Sequence, residues 1–129
     1  MAKKKTLPKL KAKAQEVVNK YIRLRDEGKP CISCGEIKPL QAGHYFSVKT
    51  HDGLRYHADN IQGECIYCNC FNESHLIGYG INLRSRIGEE RYNELLQAAQ
   101  NYKQFGYKFS RSELEEIIAT YQQKINELL

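Results

Sequence analysis

The sequence has no apolar run near the roughly 18 residues that a membrane-spanning helix requires. Its first residues, Met-Ala-Lys-Lys-Lys, lack the apolar core of a signal peptide. Internal repeats are also absent, and the lysine-rich start is the only low-complexity tract. These absences lead us to expect a protein that is neither secreted nor inserted in a membrane. The chain has the usual length of one domain, and we expect residues 1–129 to form a single one.

Cysteine is present in an odd number, five, which argues against a disulfide framework. Four of the five form two Cys-x2-Cys pairs, Cys31 with Cys34 and Cys65 with Cys68. Zinc prefers a tetrahedron of four thiolates, and two such pairs complete it. We predict one zinc ion per chain with a structural role, because no coordination position stays open. Two disulfides or four free thiols are the alternative, and Cys70 is left over as an ordinary thiol.

The positive charge is concentrated at one end of the chain. The net charge is +5, but residues 1–29 hold ten basic and three acidic residues, a net +7. Such a segment suits a polyanion, because each phosphate contact releases counterions. A solvated helix face with a basic terminus explains the same pattern without a partner.

Hydrophobic spacing predicts helices on both sides of the cysteine-bounded centre. The first covers residues 8–27, and later ones cover residues 76–87, 92–99 and 114–128. Ser110 and Glu113 form a capping-box pair before the last helix, whose apolar stripe belongs to the core or to a dimer interface.

The centre of the chain has no helical period. Glycines interrupt residues 31–68, where we predict a strand within residues 40–48 and a second extended piece near residues 54–57. The predicted fold class is therefore α+β and mainly helical.

Polar residues suited to catalysis concentrate in the same centre. His44 lies on the first predicted strand, Asn60 lies in the return loop, and Asn69 directly follows Cys68. This is the layout of a strand–loop–strand–helix nuclease finger, in which a histidine activates water and a helix side chain holds Mg²⁺ or Mn²⁺. Phosphodiester hydrolysis needs both a base and a hard cation. Neutral histidine suits the first task, and oxygen donors suit the second.

These motifs resemble those of the HNH endonuclease superfamily. The resemblance lies in Pro30-Cys31-Ile-Ser-Cys34-Gly, Ala42-Gly43-His44-Tyr45, Asp59-Asn60 and Cys65-x2-Cys68-Asn69. More narrowly, the chain is similar to the Rap/NinG family of phage recombination endonucleases from about Leu10 to Leu128. That similarity is carried by Tyr21-Ile-Arg-Leu-Arg-Asp, Leu54-Arg-Tyr and Ile87-Gly-Glu-Glu-Arg91. Zinc-containing junction resolvases of the endonuclease VII type share both cysteine pairs and the asparagine after them.

The resemblance implies a zinc-stapled ββα-metal (HNH-like) finger over residues 30–87. A basic arm and helix (residues 1–29) and C-terminal helices (residues 88–129) would flank it. It also implies an endodeoxyribonuclease that cleaves branched DNA, such as Holliday junctions and D-loops, during phage recombination in the host cytoplasm. On this match His44 is the general base, Asn60 the middle HNH residue and Asn69 the metal ligand on the helix.

One position departs from the HNH pattern. Many of these enzymes carry an acidic metal ligand directly before the base, where this sequence has Gly43. Asp59, Asn72 and His75 are available replacements, and we favour Asn72 or His75 as lying on the helix begun by Asn69. A missing ligand is also compatible with weak or absent catalysis.

Two asparagines have simpler explanations. Asn60 can orient a loop by hydrogen-bonding its backbone, without touching substrate. Asn69 can simply start a helix.

The expected partner is branched or duplex DNA, bound through its backbone. The candidate side chains are Lys3, Lys4, Lys5, Lys9, Lys13, Lys20, Arg23, Lys49 and Arg55. Two cuts across one junction favour a homodimer, since each chain offers one site. A non-catalytic, zinc-stabilised DNA-binding or regulatory protein explains the cysteines and the charge equally well, but not the histidine and asparagine at nuclease positions. A nuclease acting on RNA differs only in substrate.

Overall fold

The computed structural model of the chain describes residues 4–101 and 107–129. Five helices and one two-stranded sheet lie within them: α1 (Leu7–Arg25), β1 (Leu40–His44), β2 (Ile61–Cys65), α2 (Ile66–Cys70), α3 (His75–Ile87), α4 (Glu89–Asn101) and α5 (Arg111–Leu128). Two single-turn 3-10 helices, Asp52–Leu54 and Ala58–Asn60, lie in the loop between the strands. The mainly helical α+β class is confirmed. None of the described helices is long and apolar enough to cross a membrane.

The sheet is an antiparallel pair in which Leu40 faces Cys65 and His44 faces Ile61. All five residues of β2 are buried. The predicted extended piece near residues 54–57 is wrong, because a 3-10 turn occupies Asp52–Leu54 and the second strand begins at Ile61. The sequence Ile-Gln-Gly-Glu-Cys has one strongly strand-favouring residue, Ile61, and it is extended because neighbouring elements cover both of its faces.

Helices α1 and α5 pack against each other and against the sheet. Leu10, Val18 and Ile22 of α1 share one buried cluster with Leu114 of α5 and Ile61 of β2. The apolar stripe of α5 therefore packs in the core of its own chain. The predicted capping box is confirmed, since Ser110 and Glu113 exchange both hydrogen bonds at the start of this helix.

A second buried cluster joins α3 and α4 to the loops of the centre. Tyr79, Leu83 and Leu95 are fully buried in it with Ile32 and Leu54. This cluster places α3 directly behind the hairpin, which positions the candidate site.

A buried ion pair fixes the end of α1 to β2. Asp26 is fully buried and accepts hydrogen bonds from Nε and Nη2 of Arg25 at 2.7 and 2.9 Å. It also accepts one from the backbone N–H of Gly63 at 2.7 Å. Burial raises the pKa of Asp26, but the hydrogen bonds and charge of Arg25 outweigh it, and the net pKa is lowered. The orientation of α1 on the hairpin is therefore set by charge-assisted hydrogen bonds as well as by packing.

The polypeptide after the second cysteine pair differs from the prediction. Helix α2 ends at Cys70 and α3 begins only at His75, so Asn69, Asn72 and His75 do not share one helix. Asn72 lies between them, and its Oδ1 accepts the backbone N–H of Ser74 at 3.1 Å. This turn explains the break, because the asparagine side chain satisfies the backbone locally.

Candidate functional site

The four paired cysteines form one cluster. Their sulfur atoms all lie within 4.8 Å of one another, and the sulfurs of Cys34 and Cys65 are 3.9 Å apart. Tetrahedral zinc with bonds of about 2.3 Å separates its sulfur ligands by about 3.8 Å. The four cysteines could therefore hold a structural metal such as zinc. Cys70 lies outside the cluster and is exposed.

Local backbone geometry builds this cluster. Gly35 donates to the carbonyl of Cys31 at 2.9 Å and has a φ of 77°, the left-handed conformation that favours glycine. The N–H of Cys65 donates to the sulfur of Cys31 at 3.2 Å. The second pair spans a junction, since Cys65 ends β2 and Cys68 lies on α2.

The electrostatics of the cluster favour a cation. Burial raises the pKa of Cys31, but hydrogen bonds from backbone N–H groups, that of Cys65 first, outweigh it and lower this pKa to about 7. Burial and the neighbouring sulfurs raise the pKa of Cys68. The thiolate of Cys31 thus forms readily while that of Cys68 is disfavoured, and a bound divalent cation would allow all four cysteines to ionise.

His44 ends β1 with its ring oriented by the loop. Its Nε2 lies 2.9 Å from the backbone carbonyl of Arg55, and because a carbonyl only accepts, Nε2 carries the proton. No described residue hydrogen-bonds to Nδ1, which is therefore left as the basic nitrogen of the neutral ring. Burial is the largest influence on this histidine, and its pKa is lowered. The ring is kept neutral and oriented, as a general base requires.

Asn60 holds the loop that orients His44. It is fully buried, and its Oδ1 accepts the N–H of Phe46 at 2.8 Å. Its Nδ2 donates to the carbonyls of Phe46 and Leu54 at 3.1 and 3.3 Å. These contacts favour the loop-orienting role over a contact with substrate. Its predicted catalytic role remains a prediction.

Tyr79 supports the strand from behind. This fully buried side chain donates from its hydroxyl to the carbonyl of Gly43 at 2.6 Å. Helix α3 thereby fixes the backbone immediately before His44. The aromatic pattern of α3 predicted a core residue, and nothing in its spacing indicated this contact.

The three candidate ligands for a second metal lie in different settings. Nδ2 of Asn69 donates to Oε1 of Gln41 at 2.9 Å, which directs its Oδ1 toward Gly43. Asn72 uses its own Oδ1 in the turn before α3. Nδ1 of His75 lies 2.5 Å from Oε2 of Glu64. The structure brings Asn69 and His75 to the hairpin and leaves Asn72 in the turn.

Two acidic residues complete the description. Asp59, another predicted replacement, pairs with Arg91. Glu64, which the sequence interpretation missed, is fully buried on β2 beside Gly43. The signal that could have indicated it is an acidic residue directly before the first cysteine of the second pair.

Most of the basic candidates are accessible. Lys3 lies outside the described residues. Exposed side chains are those of Lys4, Lys5, Lys9, Lys20, Arg23 and Lys49, while Lys13 and Arg55 are partly buried. Lys13 lies 3.8 Å from Glu16. Along α1, Lys9, Lys13, Lys20 and Arg23 are separated by four, seven and three residues, which places them in one stripe.

Comparison with known proteins identifies the family. The sequence profile described as "Bacteriophage Lambda NinG protein" matches residues 1–129. The chain belongs to the NinG family. Three curated members similar to it are the ninG proteins of Escherichia phage lambda, Escherichia phage 933W and Salmonella phage P22, at 38%, 37% and 36% identity over 117 residues.

The match covers a larger share of this chain than of its NinG relatives. It includes 89% of this chain but only 55%, 56% and 55% of the three relatives. The chain thus spans slightly more than half the length of the relatives that it matches. No solved structure shows a significant match to it.

Proposed function

We propose that this chain is a metal-dependent, structure-selective DNA endonuclease that cleaves branched recombination intermediates such as Holliday junctions and D-loops. The observation that carries the proposal is the state of His44, whose Nε2 donates to a carbonyl while Nδ1, among the described residues, stays without a partner. Oδ1 of Asn69 lies beside Gly43, the residue before this histidine. A base next to an oxygen donor is the pairing that phosphodiester hydrolysis needs.

The order of elements supports an HNH-like interpretation. Strand β1, a loop, β2 and α2 follow one another directly, with the cysteine cluster at the β2–α2 junction. This is the order expected of a ββα-metal finger. Membership of the NinG family supports a role in phage recombination. That role would be carried out in the cytoplasm of the host cell.

In the proposed mechanism, Nδ1 of His44 removes a proton from the attacking water. The carbonyl of Arg55 orients the ring, and Asn60 holds the loop that carries this carbonyl. Asn69 would contribute to holding Mg²⁺ or Mn²⁺, and the cation, when bound, neutralises charge on the phosphate and the leaving oxygen. A zinc ion held by the four cysteines would fix α2, and with it Asn69, against the hairpin.

The basic stripe on α1 is the proposed contact with the DNA backbone. Lys9 and Arg23 lie 14 residues apart, which corresponds to about 21 Å along the helix. Arg25 does not belong to this surface, because its guanidinium donates hydrogen bonds to the carbonyls of Ala58 and Ile61 within the fold. Contacts of this kind position the protein without reading bases, so selectivity would come from the shape of the branch. A homodimer would supply the two cuts that a junction requires.

A comparison of substrates and variants tests the proposal. Zinc-loaded protein is incubated with labelled four-way junction, linear duplex, single-stranded DNA and an RNA duplex, with Mg²⁺, with Mn²⁺ and with EDTA. The variant His44→Gln keeps a donor for the Arg55 carbonyl but has no basic nitrogen. The matched control is His51→Gln, which changes a histidine of the loop between the strands whose Nδ1 forms a hydrogen bond with the hydroxyl of Thr50.

We expect junction cleavage by the wild type and by His51→Gln, and none by His44→Gln or with EDTA. DNA binding should persist in all of these. Binding without cleavage by the wild type, across metals and pH, would refute the nuclease and support a zinc-stabilised DNA-binding or regulatory protein. Preferential cleavage of the RNA duplex would show that the substrate is RNA and not DNA.

A further inference from the structure

The space next to Gly43 contains a carboxylate from the opposite strand. A β-carbon placed on Gly43 would overlap Oε1 of Glu64 and would lie 3.0 Å from its β-carbon. The φ angle of Gly43 is not positive, so the backbone itself does not call for glycine here. Glycine is needed because Glu64 occupies the volume in which a side chain would begin.

The carboxylate of Glu64 is only half satisfied. Its Oε2 accepts from the hydroxyl of Ser33 and lies 2.5 Å from Nδ1 of His75. Its Oε1 is buried, and no hydrogen-bond partner for it exists in the described part of the chain. Burying a carboxylate oxygen without a partner costs free energy. A bound ligand at Oε1 would offset this cost.

A second oxygen points at the same place. Oδ1 of Asn69 would lie 3.2 Å from the same β-carbon of Gly43, so the two oxygens converge on one point. The hydrogen bond from Nδ2 of Asn69 to Gln41 fixes which end of the amide faces it. Asn69 and His75 also line an open cleft of about 390 Å³.

We propose that Glu64 supplies the carboxylate that Gly43 lacks, so that Oε1 of Glu64 and Oδ1 of Asn69 together bind one Mg²⁺ or Mn²⁺ directly before His44. The acidic ligand that the HNH pattern has on the first strand is thus supplied here by the facing strand β2. Hard divalent cations prefer such oxygen ligands and complete their shell with water and phosphate oxygens. His75 and Ser33 are positioning residues, since both hold the other oxygen of the same carboxylate.

The inference rests on the proposed function for its chemical purpose, but metal binding can be measured without cleavage. Mn²⁺ is titrated into zinc-loaded protein, and the free ion is followed by its electron paramagnetic resonance signal. We expect the wild type to bind one Mn²⁺ per chain in addition to zinc. Glu64→Gln and Asn69→Ala should each weaken Mn²⁺ binding at least about tenfold, and His75→Ala by about tenfold through Glu64. Zinc content must remain at the wild-type level in each variant.

Two further variants keep the test decisive. Gly43→Ala displaces the carboxylate of Glu64 without changing it, and it should also weaken Mn²⁺ binding about tenfold. Glu73→Gln is the matched control, because Glu73 is an exposed acid of the same cleft and should leave the affinity unchanged.

The outcomes separate the two proposals. Wild-type protein that binds no Mn²⁺ beyond zinc, or folded Glu64→Gln and Gly43→Ala variants that bind it normally, would overturn the site. Mn²⁺ binding that depends on Glu64 without any DNA cleavage would instead refute the nuclease and leave the site intact. DNA cleavage that is unaffected in Glu64→Gln would refute the metal site at Glu64 and leave the nuclease proposal intact.

Discussion

The buried pair of Arg25 and Asp26 offers a direct test of what fixes α1 to the hairpin. Asp26→Asn keeps the shape of the side chain but removes the charge that faces the guanidinium. Breaking a buried ion pair costs about 3–5 kcal/mol. We expect the lower end, about 3 kcal/mol, because Arg25 keeps the carbonyls of Ala58 and Ile61 as acceptors at 3.1 and 2.8 Å.

The measurement is urea denaturation of zinc-loaded protein, followed by circular dichroism. With a slope of about 1.5 kcal/mol per molar urea, the midpoint of Asp26→Asn should fall by about 2 M. Glu27→Gln changes the exposed neighbouring acid and should stay within about 0.5 kcal/mol of the wild type. A loss below about 1 kcal/mol in Asp26→Asn would refute the view that this pair stabilises the fold.

The same pair predicts a pH dependence. The folded pKa of Asp26 is lowered from the ordinary value of 3.8, so the folded state binds its proton less readily than the unfolded state does. Its stabilisation is therefore fully present above that value and is lost as the pH falls through the lowered pKa. The difference in unfolding free energy between the wild type and Asp26→Asn should shrink below about pH 4. A difference that grows on acidification would contradict this sign.

Three shorter predictions concern the site. Cys34→Ser should weaken zinc binding and lower the unfolding free energy, because one of the four thiolates of the tetrahedron is lost; zinc titration against a competing chelator and circular dichroism measure this, with Cys70→Ser as control. Tyr79→Phe should cost about 1–3 kcal/mol in urea denaturation, because the carbonyl of Gly43 loses its donor. The acid limb of the proposed cleavage activity should have its midpoint below the ordinary histidine pKa of 6.5, because burial lowers the pKa of His44 and keeps the ring neutral.

Each of the three can fail independently. A zinc affinity of Cys34→Ser equal to that of the wild type would show that this cysteine is not a zinc ligand. An unchanged urea midpoint in Tyr79→Phe would show that the hydroxyl does not support the strand. An acid limb centred above pH 6.5 would mean that burial does not govern the pKa of His44.

The helices could be predicted from the sequence because their information is local. The apolar spacing of α1 and the capping box of α5 act within a few residues, and both are present in the structure. The second strand was not predicted, because Gln62, Gly63 and Glu64 leave Ile61–Cys65 with weak strand propensity, and contacts with neighbouring elements hold it extended. Local helix signals could thus be read from the sequence, but the pairing of the two strands could not.

The candidate site divides in the same way. The spacing of the cysteines predicted their cluster, and the motif around His44 predicted a histidine on the first strand, which the structure places at the end of that strand. Glu64 was missed because its contact with Gly43 depends on strand register, which pairs Glu64 with Gln41 and so brings its side chain diagonally next to Gly43. The break between α2 and α3 depends on one side-chain hydrogen bond of Asn72, which competes with helix continuation.

The packing of α1 on α5 has a consequence for synthesis. Leu10 and Leu114 share one cluster, so the apolar face of the first helix waits for a partner made roughly 100 residues later. At about 5–20 residues per second, that interval is on the order of 5–20 s. During it, a basic helix with an uncovered apolar face leaves the ribosome. Basic charge is thus exposed before the fold is complete, and a chain interrupted before α5 would keep the part of this apolar face that Leu114 covers exposed to solvent.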